Sequence, residues 1–170
     1  MTEKLTEHIG RHSYYGSFSL LHNPEIYIGN FCSIGEKTRW HGATNHKINL
    51  VSTFPFKFWF KDKKSEGISK GLILIKNDVW IGDSVTFLSG VSLCSGAVIA
   101  SNSVVTGYCR PYGVYAGNPA RLKKYRFSDT IITELLYINW WDWPDELIKK
   151  RLDWFYKTPE EFIRLCKENQ

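Results

Sequence analysis

The residue best suited to chemistry lies in 'TNHKINLVSTFPF', residues 44–56, where His46 follows Asn45 and leads into a hydroxyl- and aromatic-rich run. Histidine can take a proton from a hydroxyl near neutral pH and give it back within one reaction cycle. Taken alone, His46 is equally a surface histidine in a polar loop. His41 is its nearest rival, while His8, His12 and His22 stand near the N-terminal turns without supporting groups. A metal-dependent lyase would need three histidine ligands, and His41 and His46 have no evident third. Cys32, Cys94, Cys109 and Cys166 form no CxxC pair and have no ligand spacing to the histidines, so they read as buried or incidental thiols of a reducing compartment.

The elements on either side decide what His46 is worth. From residue 73 the chain reads 'ILIKNDVWIGDSVTFLSGVSLCSGAVIASNSVVTG'. Ile75, Ile81, Phe87, Leu93, Ile99 and Val105 recur every six residues. Val79, Val85, Val91, Ala97 and Ser103 form a second column two residues ahead, and a third holds turn residues: Asn77-Asp78, Asp83-Ser84, Ser89-Gly90, Ser95-Gly96 and Ser101-Asn102. A helix needs apolar spacing near 3.6 and an isolated strand needs 2. A step of six predicts short flat strands joined by tight turns and stacked in triangular coils. The phase is already present at Ile28, Ile34 and Trp40. The repeat therefore covers about 26–42 and 73–106, interrupted by an insertion at about 43–72 that carries His46. Insertions in solenoids project from one corner and often bear function.

Past Thr106, Pro111 and Gly113 break the repeat, and Gly117-Asn118-Pro119 makes a tight turn before a basic run. 'SDTIITELLYINWW' predicts a helix capped by Ser128, and 'DWPDELIKKRLDWFY' continues at helical spacing. Thr158 to Glu161 is a capping box with Pro159 in the first turn. These helices are expected to cover an open end of the coil stack. The division is a coil domain at 1–126 and a helical extension at 127–170.

With 43% hydrophobic and 15% aromatic residues the chain has the makings of a packed core, and no apolar run reaches membrane-spanning length. 'MTEKLTEHIGRH' lacks a signal-peptide core, which leaves the cytoplasm as the expected location. A net charge of +5 favours an anionic partner without choosing one, and no nucleic-acid motif accompanies it.

'FCSIG' (31–35), 'NHKINLVSTFPF' (45–56), 'NDVWIG' (77–82), 'AGNPA' (116–120), 'RF' (126–127) and 'NWWDWPDE' (139–146) together resemble the xenobiotic acetyltransferases. These are hexapeptide acyltransferases that include chloramphenicol, streptogramin and polysaccharide O-acetyltransferases. The resemblance implies a left-handed parallel β-helix that forms a homotrimer, with active sites between subunits and acetyl-CoA along the prism. It implies His46 as general base toward a hydroxyl, with no metal and no covalent enzyme intermediate. Tyr14 and Asn45 take acceptor-side positions. Trp80, Ala100, Ser101, Asn118, Pro119, Lys123, Lys124 and Arg126 take cofactor-side positions, the last three facing nucleotide phosphates. Solvated basic residues are the plain alternative for that run. 'FPFKFWFKDKK', 54–64, reads as a membrane-surface segment or as a loop reaching the neighbouring subunit, and its family position favours the neighbour.

The chain departs from the family pattern at Lys76, at Leu88 and Cys94, and in 'GATNH'. None of these removes a reactive group. About ten residues precede the 'SYY' stretch, fewer than antibiotic-modifying members carry, which tilts the expected acceptor toward a saccharide hydroxyl. An antibiotic hydroxyl is the alternative, and a non-catalytic scaffold is the remote one.

Overall fold

The computed structural model describes residues 8–169; the outer ends of the two segments read from the sequence, and most of the N-terminal stretch read for a leader, lie outside the described residues. The chain winds as a parallel β-helix with three faces. Coil one is β1 (His8–Ile9), β2 (Tyr14–Tyr15) and β3 (Phe18–Leu21); coil two is β4 (Ile26–Ile28), β5 (Ser33–Ile34) and β6 (Thr38–His41). Coil three is β7 (Ile73–Ile75), β8 (Trp80–Ile81) and β9 (Thr86–Phe87); coil four is β10 (Ser92–Leu93), β11 (Val98–Ile99) and β12 (Val104–Val105). A partial fifth coil adds β13 (Tyr108–Cys109) and β14 (Gly113–Ala116). The first strand of every coil pairs with its counterparts on the first face, the second strands on the second face and the third strands on the third. β15 (Arg121–Tyr125) returns antiparallel along β14 and finishes the second face.

The three columns of the repeat have separate physical roles. Ile75, Ile81, Phe87, Leu93, Ile99 and Val105 all point inward and are fully buried, and so are Val79, Val85, Val91, Ala97 and Ser103. Trp40 stacks on Phe87 at 4.4 Å between ring centroids, and its indole N–H donates to Thr38 Oγ1 at 2.9 Å, so the core holds no unpaired donor there. The second residue of each turn pair, Asp78, Ser84, Gly90, Gly96 and Asn102, has φ between 54° and 77°, the left-handed conformation that a sharp corner needs.

Strand pairing leaves turn N–H groups over, and side chains of the next coil accept them. Between the first and second faces, Arg11 N–H donates to Asn30 Oδ1, Asn30 N–H to Asn77 Oδ1 and Asn77 N–H to Ser95 Oγ. Between the second and third faces, Ser17, Glu36 and Asp83 N–H groups donate in turn to Glu36 Oε2, Asp83 Oδ1 and Ser101 Oγ. The glycines after the rungs make room for these acceptors. A Cβ on Gly29 would stand 2.5 Å from Asn77 Oδ1, and one on Gly35 would stand 2.4 Å from Asp83 Oδ1.

Three differences from the sequence reading have local causes. Coil one was not legible because Tyr15 and Leu20, which pair with Ile34 and Trp40, are five residues apart where the partners are six apart. The repeat runs on past Thr106 because only four residues, instead of six, separate Val105 from Cys109 at the next rung. The helices α1 (Asp129–Ile138), α2 (Asp145–Lys150) and α3 (Pro159–Glu168) do not cover an open end. They pack along the corner between the first and second faces, where Phe31 and Tyr112 join Ile132, Leu135, Trp141, Phe162 and Ile163 in a second core. Ser128 and Thr158 cap α1 and α3 as expected, whereas the middle stretch is broken into α2 and a 3₁₀ turn at Leu152–Tyr156. Arg11 secures the arrangement at the far coil, bonding to Asp145 and to the carbonyls of Trp141 and Trp143.

Replacing Asn77 by Ala leaves the half-buried corner N–H of Asn30 without its acceptor. Urea denaturation followed by circular dichroism should show a loss of about 1–3 kcal/mol, with the native spectrum retained.

Candidate active site

The insertion leaves the coil stack between the third and first faces and is closed at its neck. Asn45 and Ile68 exchange backbone hydrogen bonds of 3.2 and 2.8 Å, and the Asn45 amide also donates to Ile68 O at 3.1 Å and approaches Ser89 Oγ at 3.4 Å. Lys70 N–H donates to the same Ser89 Oγ. The Asn45 side chain, expected on the acceptor side, is thus turned into the neck, one residue before His46. A π-helical turn at Phe58–Asp62 folds the outer half back, and Phe58 N–H donates to Glu66 Oε1 at 3.1 Å.

His46 is exposed at the junction of two cavities. One, of about 210 Å³, is walled by His22, Pro55, Phe58, Trp59 and Glu66; the other, of about 300 Å³, by Leu50, Ser52, Thr53, Pro55 and Lys57. Among the described residues the imidazole has no protein hydrogen-bond partner, so both ring nitrogens are open to a ligand. His41 sits instead on β6 of the third face, where burial first, and then Arg39 and His22, hold its pKa below the ordinary histidine range. Sequence reasoning passed over Glu66 and Lys57, which lie outside the quoted motif or at its edge and enter the site only through the fold-back of the loop.

The cofactor-side positions lie on the second face. Tyr14, Ser33, Trp80, Val98, Val114 and Lys124 are in direct register across six strands, forming one outward row. Tyr14 is 64% exposed and Trp80 60%. A groove of about 680 Å³ runs over Ser33, Trp80, Val98, Val114 and Lys124. Lys123 is exposed on the same strand. Ala100, Ser101, Asn118 and Pro119 gather at the opposite corner of that face, because Ile99 pairs with Tyr115 and the two chains run on together. Ser101 Oγ is there the acceptor for Asp83 N–H, while Asn118 and Pro119 are exposed.

Arg126 lines the same groove and has protein partners as well. Its guanidinium donates to Gly96 O at 2.9 Å and to Asp78 Oδ2 at 3.3 Å, and it lies over the Tyr112 and Phe127 rings. Its charge is shared with Asp78 at the corner, yet the residue remains exposed and lines the groove with Lys124, while Arg121, Lys123 and Lys124 face solvent beside it. Burial raises the Asp78 carboxyl above the ordinary carboxylate range, and Arg126 opposes that rise. Among the described residues no three His, Cys, Asp or Glu side chains gather as a metal site, and no helix is long and apolar enough to cross a membrane.

Comparison with known proteins agrees with this geometry. The family described as bacterial transferase hexapeptide (six repeats) matches residues 73–107. A probable macrolide acetyltransferase of Lysinibacillus sphaericus is 41% identical over 139 residues, 76% of this chain and 76% of its own. A chloramphenicol acetyltransferase of Agrobacterium fabrum is 35% identical over 162 residues, 83% of this chain and 78% of its own. A galactoside acetyltransferase solved in complex with coenzyme A is 26% identical with a TM-score of 0.54, matched over 72% of this chain and 60%, less than two thirds, of that one.

A carboxyl whose pKa rises on folding contributes stability at low pH and loses it as pH climbs through its folded value. Arg126→Gln removes the charge that restrains Asp78. Its melting temperature should fall furthest below wild type at pH 7–8 and recover as the pH drops toward the carboxylate range, read by thermal scans across pH.

Proposed function

Because the chain belongs to the hexapeptide-repeat acetyltransferases of the xenobiotic acetyltransferase kind, we propose that it transfers acetyl from acetyl-CoA to a hydroxyl of a saccharide acceptor, with His46 as general base. The observation that carries this reading is the unpartnered His46 imidazole at the junction of two cavities, inside the 'NH…STFPF' motif. Acetyl-CoA supplies an activated acetyl thioester. The outward row on the second face suits it: Trp80 and the two valines offer apolar surface to a thin chain, and Lys123 and Lys124 offer charge to phosphates.

His46 takes the acceptor's hydroxyl proton as its oxygen bonds to the acetyl carbon. The C–S bond then breaks, and the imidazolium returns the proton to the departing sulfur. The products are an acetyl ester and a free CoA thiol. Tyr14, exposed on the same row as Trp80, offers a phenol to a hydroxylated acceptor. Asn45 acts through the neck, fixing where His46 leaves the corner.

The triangular prism supports a shared site. The corner between the third and first faces lies opposite the second face, so His46 and the Trp80–Lys124 groove of one chain face different directions. A working site therefore takes the groove from one chain and His46 from another, as in a homotrimer. The insertion has the surface for that contact: Ile48 is 88% exposed and Phe60 79%, with Leu50, Val51, Phe56 and Trp59 also exposed. An antibiotic hydroxyl is the second reading, favoured by the macrolide and chloramphenicol acetyltransferase relatives and by the aromatic cavity wall of Phe58 and Trp59.

Release of CoA thiol should depend on an acceptor, and His46→Ala should cut the rate by ~10²–10⁴-fold while leaving acetyl-CoA binding intact by calorimetry. Undiminished turnover in that variant would remove His46 from the chemistry. Light scattering should give a trimer for the native chain, and Phe60→Asp should shift it toward monomer with a parallel loss of turnover. A native monomer with full activity would overturn the shared site.

A further inference from the structure

We propose that the acceptor is anionic, and that Lys47 and Lys57 hold its charge in the larger cavity while His46 addresses a hydroxyl beside it. The inference rests on His46 being the base, and it goes further by fixing the chemical class of what His46 acts upon. The two cavities beside His46 are not alike. Pro55, Phe58 and Trp59 give the smaller one apolar and aromatic walls, whereas Lys47, Lys57, Ser52 and Thr53 line the larger one with cations and hydroxyls.

Neither ammonium is spent elsewhere. Among the described residues the ion pairs lie along the helices and at the corner they cover, and none involves Lys47 or Lys57. Glu66 is the one carboxylate in the cavity wall, and its Oε1 already accepts the Phe58 N–H. Ser52 Oγ accepts Phe54 N–H at 3.1 Å, which leaves its own hydroxyl proton to donate to a ligand. Two ammonium groups and two hydroxyl donors facing one cavity form a donor-rich surface that suits a carboxylate or phosphate. The wider charge distribution agrees. Residues 43–72 hold six lysines against Asp62 and Glu66, a net +4 of the chain's +5, whereas residues 127–170 hold nine acidic and six basic residues, a net −3. Residues 73–126 hold six basic residues against Asp78 and Asp83, also a net +4, so the loop that carries His46 is one of two basic regions, and its charge draws an anion toward the base. The aromatic wall on the other side of His46 suits the apolar face of a sugar ring. Together the two cavities describe a saccharide with a hydroxyl next to a carboxylate- or phosphate-bearing arm, and they disfavour a cationic acceptor.

The test measures binding without turnover, on full-length His46→Ala protein, by titration with matched probes: glucuronate and glucose 1-phosphate against glucose, UDP-glucose against methyl glucoside, and chloramphenicol as a neutral drug. At least one anionic probe should bind about tenfold more tightly than its neutral counterpart at low salt, and the gap should narrow as salt is raised. Lys47→Ala and Lys57→Ala should each erase most of that preference while leaving the affinities for the neutral sugars and for acetyl-CoA unchanged. The proposal is overturned if no anionic probe is preferred, if the preference survives both lysine changes, or if those changes weaken acetyl-CoA instead, which would assign the lysines to the cofactor phosphates. Failure of His46 as the base shows separately, in thiol release, and does not affect this comparison.

Discussion

The whole molecule depends on how it disposes of the backbone N–H groups at its corners. Strands of two or three residues make few hydrogen bonds, and every turn between them leaves donors over. Here the next coil supplies the acceptor as a side chain, Asn30 to Asn77 to Ser95 along one corner and Glu36 to Asp83 to Ser101 along another. That requirement explains three features of the repeat together. The first turn residue must carry an oxygen, the second must tolerate a left-handed conformation, and the residue after the rung is often glycine because the oxygen of the next coil occupies the space of its Cβ. A change at one corner is therefore felt one coil away.

Register has a functional consequence. Coils locked at their corners cannot slide, so outward residues far apart in sequence line up in straight rows. Tyr14 and Lys124 are 110 positions apart and share one row with Ser33, Trp80, Val98 and Val114. A row along a rigid prism is a suitable bed for a long thin ligand, and its ends carry different chemistry, a phenol at one and an ammonium at the other. The insertion follows another logic. Its neck is held by the Asn45–Ile68 clamp and by Ser89, and its shape comes from aromatic contacts such as Phe54 with Phe56 and Phe56 with Phe60.

The repeat was legible in the sequence because burial and corner geometry impose the same period of six on three separate columns. Where one corner is shortened the period fails although the coil persists, as between Val105 and Cys109 and between Tyr15 and Leu20. Caps were legible because they are local; Ser128 and Thr158 reach only three residues ahead. The direction of long side chains was not. Arg126 stands in a basic run that reads as surface and is exposed, yet its guanidinium turns to Asp78, 48 residues earlier, at the corner beside the helices. Asn45 reads as a ligand-facing neighbour of His46, yet its amide finds Ile68, 23 residues later. The placement of the helices was missed for the same reason, since their partners Arg11, Phe31 and Tyr112 belong to three different coils.

Prism geometry then ties assembly to chemistry. His46 leaves the coil stack at one corner and the Trp80–Lys124 groove lies on the opposite face, which leaves a gap between the proposed base and the proposed cofactor groove. A second chain can close it without deforming anything, by setting its own groove beside the first chain's insertion. The exposed apolar residues of the loop follow from that demand. Side chains such as Ile48 and Phe60 are exposed apolar surface on the single chain, which suits the contact proposed for a shared site. On the proposed reading, association removes this apolar surface from water and sets His46 of one chain beside the groove of another.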